Sequence, residues 1–543
     1  MWLSMAVRLA TCQVNSDNND HCLNIGEFMY LTQTLRRSAQ RRGDDTVLVC
    51  GEKSLSWNKL EERCSRLAAG LVAEGLVAGD RVAMLSHNCA EYFEFSFAVP
   101  WAGGAIVPLN NRLGSDELHY ILSDSAARLL IADVHFKDVI DGFLAQLPSL
   151  EGVIYFDPEN ASSDYESLIS EHPPLEDRQR GYEDIAGILY TSGTTGRPKG
   201  AVLSHRNLIA NAMGASLNSG YNEDTVYLHA TPLFHAAGAS RVYSMIGAGT
   251  TNIILPAFEV GALLAAIERH HVTTLLLVPT MINRLVHHED LHKFDLSSLR
   301  NISYGASPMP QTVLKKALQE LPHVAFTQAY GMTELSPAAT FLEARYHVLD
   351  GPDAGRLASC GQAVFNADVR IVDEQDRPLP DGEVGEIVVK GPMVMQGYWQ
   401  NPEATAEAIR DGWMHTGDAA YRDGEGFFYI VDRIKDLVIT GGENVSSVEV
   451  ENAIYQLEAV SECAVFGIPH EDWIESVHAE VVTKPGYSIT EAEVIAHCKG
   501  QMTSFKCPRS VVVRDQPLPI SGTGKIMKNE LRKPYWLGRD RKV

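Results

Sequence analysis

Three glycines, two Ser/Thr pairs and a lysine crowd into residues 190–200, Tyr-Thr-Ser-Gly-Thr-Thr-Gly-Arg-Pro-Lys-Gly. Glycine lets a turning backbone aim its N–H groups at one point. Hydroxyls and Lys199 add donors and positive charge, so the stretch predicts a polyphosphate cradle. Its candidate ligands are Thr191, Ser192, Gly193, Thr194, Thr195 and Lys199. It is not a Walker loop, because nothing in the chain reads G-x-x-x-x-G-K-[ST]. Gly524-Lys525 comes near, but Ile526 follows and the upstream glycine is missing. Four further stretches place polar residues beside glycines: 304–309, 328–334, 413–418 and 519–526. Taken singly, each is an ordinary turn or surface loop. The run His287-His288-Glu-Asp-Leu-His292 lacks a cysteine or further histidine pattern to complete a metal site. It is expected to be a polar helix end.

The elements that must position these residues alternate. Residues 188–190 read as a buried strand leading into the cradle. Residues 60–71 are amphipathic at helical spacing. Short apolar strands are expected at 81–85, 105–109, 129–132, 225–229, 251–255, 273–278 and 301–304. Strands alternating with helices predict an α/β, multi-domain chain whose large N-terminal part holds covered, mostly parallel sheets. After residue 360 the texture changes. Period-2 strands at 369–373 and 385–390, flanked by Gly, Pro and Asp, predict a β-rich subdomain. Past 432 comes a compact α+β unit, with helices at 448–458 and 490–499 and strands at 463–466 and 477–482. The division expected is an extraneous or disordered 1–28, with Met29 an alternative start, then a 29–431 domain and a 432–543 domain.

The bulk numbers fit this. A chain of 543 residues exceeds one ordinary core. A net charge of −23 argues against nonspecific nucleic-acid binding. Nine cysteines without a C-x-x-C suggest reduced thiols in a cytosol. No run reaches the ~18 apolar residues of a membrane span. Residues 97–109 come nearest and contain Pro100 and Pro108.

Together the motifs resemble the adenylate-forming superfamily of acyl-CoA synthetases, luciferases and nonribosomal adenylation domains, over residues 30–543. The resemblance implies ATP, Mg²⁺ and CoA as cofactors, a small carboxylic acid as partner, and allows a homodimer. It implies that Tyr330, Gly331, Met332 and Thr333 line the nucleotide site and that Glu334 is the metal ligand. A hard cation bridging phosphates needs such an oxygen. Gly305, Ala306 and Ser307 would wall the adenine and acyl sites. Asp418 would take both ribose hydroxyls, with Ile430 and Arg433 beside the nucleotide and Asp432 as the hinge. Gly441 and Gly442 would line the pantetheine tunnel. Lys525 would bridge the substrate carboxylate and α-phosphate, where a preorganised cation could contribute several kcal/mol. The catalytic set implied is Lys525, Glu334, Thr191 and His235, with His235 gating the acyl pocket and not acting as a base.

The implied reaction joins an acid to CoA through an acyl-adenylate, with a mobile C-terminal domain rotating between the two steps. Ala236, Ala237 and Gly238, with the small residues Ala306, Ala329 and Gly331, imply a roomy apolar cavity for a medium- or long-chain fatty acid. Ser446-Ser447, where many relatives carry Tyr-Pro, leans the same way. The alternatives are a coumarate- or ferulate-type acid, or an acyl-AMP ligase or luciferase-like adenylator. No aspartate near His235 is available to hold an amino group, which argues against amino acids. The C-terminal Arg541-Lys542-Val543 is not a peroxisomal tripeptide, so a cytoplasmic location is expected.

Overall fold

A computed structural model describes residues 29–157, 163–191, 197–521 and 525–537. Residues 1–28, and with them the expected extension, lie outside the described part, as do Ser192, Gly193, Thr194 and Thr195.

Two large mixed sheets build the N-terminal part. The first has nine strands. Its parallel centre runs Ala325–Gly331, Asn301–Gly305, Thr274–Leu277, Val226–His229, Thr251–Ile254 and Thr46–Cys50. Antiparallel strands close both edges, with Lys53–Ser56 on one side and Ala338–Leu342 and Gln362–Ala363 on the other. The second has seven strands, ordered Gly397–Tyr398, Lys199–Ser204, Ile185–Thr191, Ala105–Pro108, Arg81–Leu85, Leu129–Asp133 and Gly152–Phe156. Its strand Leu129–Asp133 is buried along its whole length, as is expected where helices cover both faces of a parallel sheet.

The most apolar stretch of the sequence divides between two elements. Helix Ala90–Trp101 is buried on every side, with Pro100 in its last turn, and strand Ala105–Pro108 follows. Burying Phe93, Phe95 and Phe97 there stabilises the fold by about 1.5–3 kcal/mol each. Among the described residues, no helix is long and apolar enough to cross a membrane.

A third sheet, the expected β-rich unit, joins Asp368–Val372, Gly385–Lys390, Trp413–Arg422, Ile409–Arg410 and Phe428–Arg433. A fourth belongs to the C-terminal unit. It holds Glu443–Val445, Val438–Thr440, Ile474–Thr483 and Val460–His470, with Ser510–Arg514 added parallel to Ile474–Thr483. Its helices Ser447–Ile454 and Glu491–Gln501 begin at Ser446 and Thr490, whose side chains accept the N–H groups of Glu449 and Glu493. The first helix stops at Ile454, four residues short of the span expected from periodicity, because the chain turns at Tyr455 to reach strand Val460–His470.

The division expected between 431 and 432 falls inside strand Phe428–Arg433, which stays in register with Trp413–Arg422 through Asp418↔Arg433. The chain leaves that sheet in the turn at 434–437, where the Ile434 N–H still donates to the Gly417 carbonyl at 2.9 Å.

Candidate active site

The described residues on either side of the cradle are two paired strands. Strands Ile185–Thr191 and Lys199–Ser204 pair antiparallel, and Thr191 faces Lys199 across the neck. Ser204 then caps helix His205–Ser219, with Asn207 returning the bond to the Ser204 N–H. Asn207 also donates to the carbonyls of Pro392 and Val394, fixing the strand that follows them. That strand, Gly397–Tyr398, pairs with Lys199–Ser204 through Tyr398↔Ala201.

Tyr398 is a residue of this site that the sequence did not reveal. Lys199 Nζ sits 5.1 Å from the centre of its ring, a cation–π contact. Its hydroxyl donates to Glu334 Oε1 at 2.7 Å. Glu334 is held in the turn Thr333–Leu335, just beyond strand Ala325–Gly331, and is 5 % exposed. Tyr398 thus links the lysine of the cradle to the carboxylate expected to hold the metal. Tyr398 and Glu334 stand 64 residues apart, which hides the link from any local pattern.

A second knot gathers the other end of the site. Asp418 Oδ1 accepts from Arg433 Nε at 2.9 Å, and Oδ2 accepts from the Tyr330 hydroxyl at 2.7 Å. Burial pushes the Asp418 carboxyl up, against the opposing pull of Arg433. Burial also pushes the Tyr330 phenol far up, with Asp418 adding to the effect, so it stays a donor. Ile430, on the same strand as Arg433, packs against the main core.

Lys525 comes to these groups from the C-terminal unit. Burial first, and then the neighbouring Arg433, push its ammonium down to about 8, while Asp418 and Glu334 pull the other way. His235 is pushed down to about 3 by burial and by Lys525, so its imidazole is neutral at ordinary pH. Its Nδ1 accepts the Ala237 N–H at 3.3 Å, making it the N-cap of helix Ala236–Ala248.

Backbone approach explains the glycines here, which revises the reading of Gly238 and Gly331 as open space. A Cβ on Gly305 would stand 2.2 Å from the Ala329 carbonyl oxygen, and one on Gly331 would stand 1.8 Å from that of Pro337. A Cβ on Gly238 would stand 2.1 Å from the Pro232 carbonyl oxygen. These positions are filled by neighbouring backbone and add no room to a pocket. Between Gly305 and Ser307, Ala306 takes φ 70°, a left-handed conformation unusual for a side-chain-bearing residue.

The structure therefore brings together Thr191, Lys199, Glu334, Tyr330, Asp418, Arg433, His235 and Lys525. It does not bring Gly441 and Gly442 to them. That pair forms the exposed turn between Val438–Thr440 and Glu443–Val445, and the Gly441 N–H donates to the Trp473 carbonyl. Asp432 is not free to swivel alone. Its Oδ2 accepts from both the N–H and the hydroxyl of Ser447, at 2.6 and 2.7 Å.

The AMP-binding enzyme family matches residues 35–399, and the AMP-binding enzyme C-terminal domain matches residues 449–525. The chain belongs to the AMP-binding enzyme family. It is an enzyme of the adenylate-forming superfamily, an AMP-forming acid–CoA ligase. A feruloyl-CoA synthase of Amycolatopsis sp is 40% identical over 92% of this chain and 98% of its own. A medium/long-chain-fatty-acid–CoA ligase, FadD8 of Mycobacterium tuberculosis, is 34% identical over 93% of this chain and 90% of its own. Among solved structures, ATP-bound MatB from Rhodopseudomonas palustris superposes with a TM-score of 0.85 at 33% identity, covering 93% of this chain and 99% of that one. The AMP-binding enzyme expected from the motifs is thus present along nearly the whole chain.

Proposed function

We propose that this enzyme joins a ferulate-type phenylpropenoic acid to CoA, forming the acyl-CoA, AMP and pyrophosphate. The observation that carries this is the 40% identity to a feruloyl-CoA synthase along 98% of that protein, against 34% to the fatty-acid ligase. The fatty-acid reading rested on small residues leaving a wide cavity and on Ser446-Ser447. It weakens because Gly238 and Gly331, two of those residues, are closed by backbone.

The roles follow from the charges. The acid's carboxylate attacks the α-phosphorus of ATP, and negative charge grows on the phosphoryl oxygens. Lys525, close to Glu334, Asp418 and Arg433, is the cation that meets this charge. The Gly/Ser/Thr-rich stretch, with Thr191, Ser192, Gly193, Thr194, Thr195 and Lys199, grips the leaving pyrophosphate. Asp418 keeps lone pairs for ribose hydroxyls while Arg433 and Tyr330 hold it in place. Gly305, Ala306, Ser307, Gly331, Met332 and Thr333 wall the base.

Glu334 suits Mg²⁺. It is buried, Oε1 is engaged by Tyr398, and Oε2 has no hydrogen-bond partner among the described residues. One carboxylate plus substrate phosphates is the ordinary protein share of a magnesium site. When bound, the ion would neutralise phosphate charge.

In the second step the C-terminal unit rotates, Lys525 withdraws and the Gly441-Gly442 turn enters, guiding the thiol to the acyl carbonyl. CoA-dependent AMP formation, measured with ferulate, octanoate and palmitate in turn, tests this reading. Turnover highest with ferulate is expected. Octanoate or palmitate ahead of ferulate would return the enzyme to the fatty-acyl class.

A further inference from the structure

Helix Ala236–Ala248 begins at His235, beside Lys525, and carries an arginine six residues further on. That is roughly 9 Å along the axis, comparable to the long dimension of a phenylpropenoate. Arg241 is 3 % exposed, yet its Nε and Nη1 are buried without a hydrogen-bond partner among the described residues. Its partners among the described residues are aromatic, the Tyr221 ring and the Tyr227 phenol. Buried guanidinium nitrogens left unpaired are costly, and such a group calls for an explanation.

Its surroundings locate it. Ala237, Arg241, Met245 and Ala248 recur at helical spacing on one face. Ala237, Met245 and Ala248 pack there with Tyr221, Tyr227 and Leu276. The guanidinium lies 5.9 Å from the Tyr221 ring, and the Tyr221 hydroxyl is itself buried without a partner among the described residues. The guanidinium hydrogen-bonds the Tyr227 hydroxyl and acts electrostatically on His229, leaving Nε and Nη1 as its unsatisfied groups.

Leu276 pairs with Ser303, and Ser303 with Thr327. The two hydroxyls of that row are 2.9 Å apart. Two residues further along these strands, on the same face, are Gly305 and Ala329, which border the reacting end. From the proposed adenylating end, the facing surfaces of helix and sheet therefore run to the Ser303–Thr327 hydroxyl pair and to a guanidinium with two unsatisfied N–H groups.

We propose that Arg241 reads the acid at its end remote from the carboxylate, donating hydrogen bonds to the para oxygen of a hydroxylated phenylpropenoate. This rests on the ferulate-type reading and sharpens it. An unsubstituted ring or an alkyl tail leaves Nε and Nη1 unsatisfied. A site built to hydrogen-bond a substrate oxygen rejects the analogue lacking it far more strongly than an apolar pocket rejects a missing methylene.

The test compares kcat/KM for pyrophosphate release with cinnamate, 4-hydroxycinnamate and ferulate, in the wild type and in Arg241→Met. The wild type should favour the two hydroxylated acids over cinnamate by about 100-fold or more. In Arg241→Met that ratio should fall below about tenfold, through the KM for the acid, with the KM for ATP unchanged. Equal wild-type values for cinnamate and 4-hydroxycinnamate would overturn the proposal without any variant, so it is decided even where Arg241→Met fails to fold. An unchanged ratio in a folded Arg241→Met would overturn it while leaving the ferulate-type reading intact. Turnover of octanoate with none of the three acids would remove both.

Discussion

Lys525 enters a space already holding Arg433, and the two cations tolerate each other because Asp418 and Glu334 stand between opposing pulls. The consequence is a titration. With its ammonium pushed down to about 8, Lys525 is charged below that pH and loses its proton above it. Because the proposed step needs the cation, kcat/KM for adenylation should be level below pH 8 and fall about tenfold per pH unit above it. In Lys525→Ala this alkaline limb should disappear together with at least about 100-fold of the rate. A pH profile of pyrophosphate release in both proteins checks it. An alkaline limb that persists in the variant would assign the titration elsewhere. Much of this end of the site was legible in the sequence. Lys525, Glu334 and Asp418 each lie in a stretch that resembles a motif of the adenylate-forming superfamily, although each stretch alone reads as a turn. Tyr398 and Arg241 were not legible. Tyr398 matters through a strand pairing that carries it to Glu334, and Arg241 through burial against Leu276 and Tyr227.

The hairpin at Val438–Thr440 and Glu443–Val445 turns through two residues in the left-handed region, Gly441 at φ 62° and Gly442 at φ 86°. A Cβ on Gly442 would meet nothing within 4 Å, so conformation and not crowding requires glycine there. Alanine costs about 1–2 kcal/mol in that geometry. Gly442→Ala should thus reshape the turn while sparing the adenylating residues, which lie elsewhere. Thioester formation from preformed acyl-adenylate should slow at least about tenfold, with pyrophosphate release unchanged. Single-turnover measurement of each half-reaction separates the two, and equal losses would take the turn out of the second step. Element positions were the most readable level. The strands expected at 81–85 and 301–304 lie within one residue of Arg81–Leu85 and Asn301–Gly305. Where strand and helix met end to end, as beyond Ile454, tertiary contact set the boundary and periodicity could not.

Across the whole molecule, the N-terminal sheets and the C-terminal unit meet at Asp432. Its carboxylate accepts from the backbone and hydroxyl of Ser447, and Lys528 donates to that same hydroxyl at 2.7 Å while pairing with Glu451. Ser447→Ala removes the shared hydroxyl from a buried carboxylate and a buried ammonium. It should destabilise the protein by about 1–3 kcal/mol. Thermal unfolding monitored with and without ATP would register the loss as a lower Tm, whereas an unchanged Tm would mean that the hydroxyl bears no part of the junction. Before any such junction forms, the first sheet must close. Its strand Thr46–Cys50 has a parallel neighbour in Thr251–Ile254, and Thr46 and Thr251 are 205 residues apart. At roughly 5–20 residues per second, a ribosome needs about 10–40 s to make that span. Through that interval an apolar strand, Thr-Val-Leu-Val-Cys, waits with an open edge. Slower initiation, which spaces nascent chains apart, should raise the yield of folded protein more than slower elongation, which lengthens the wait.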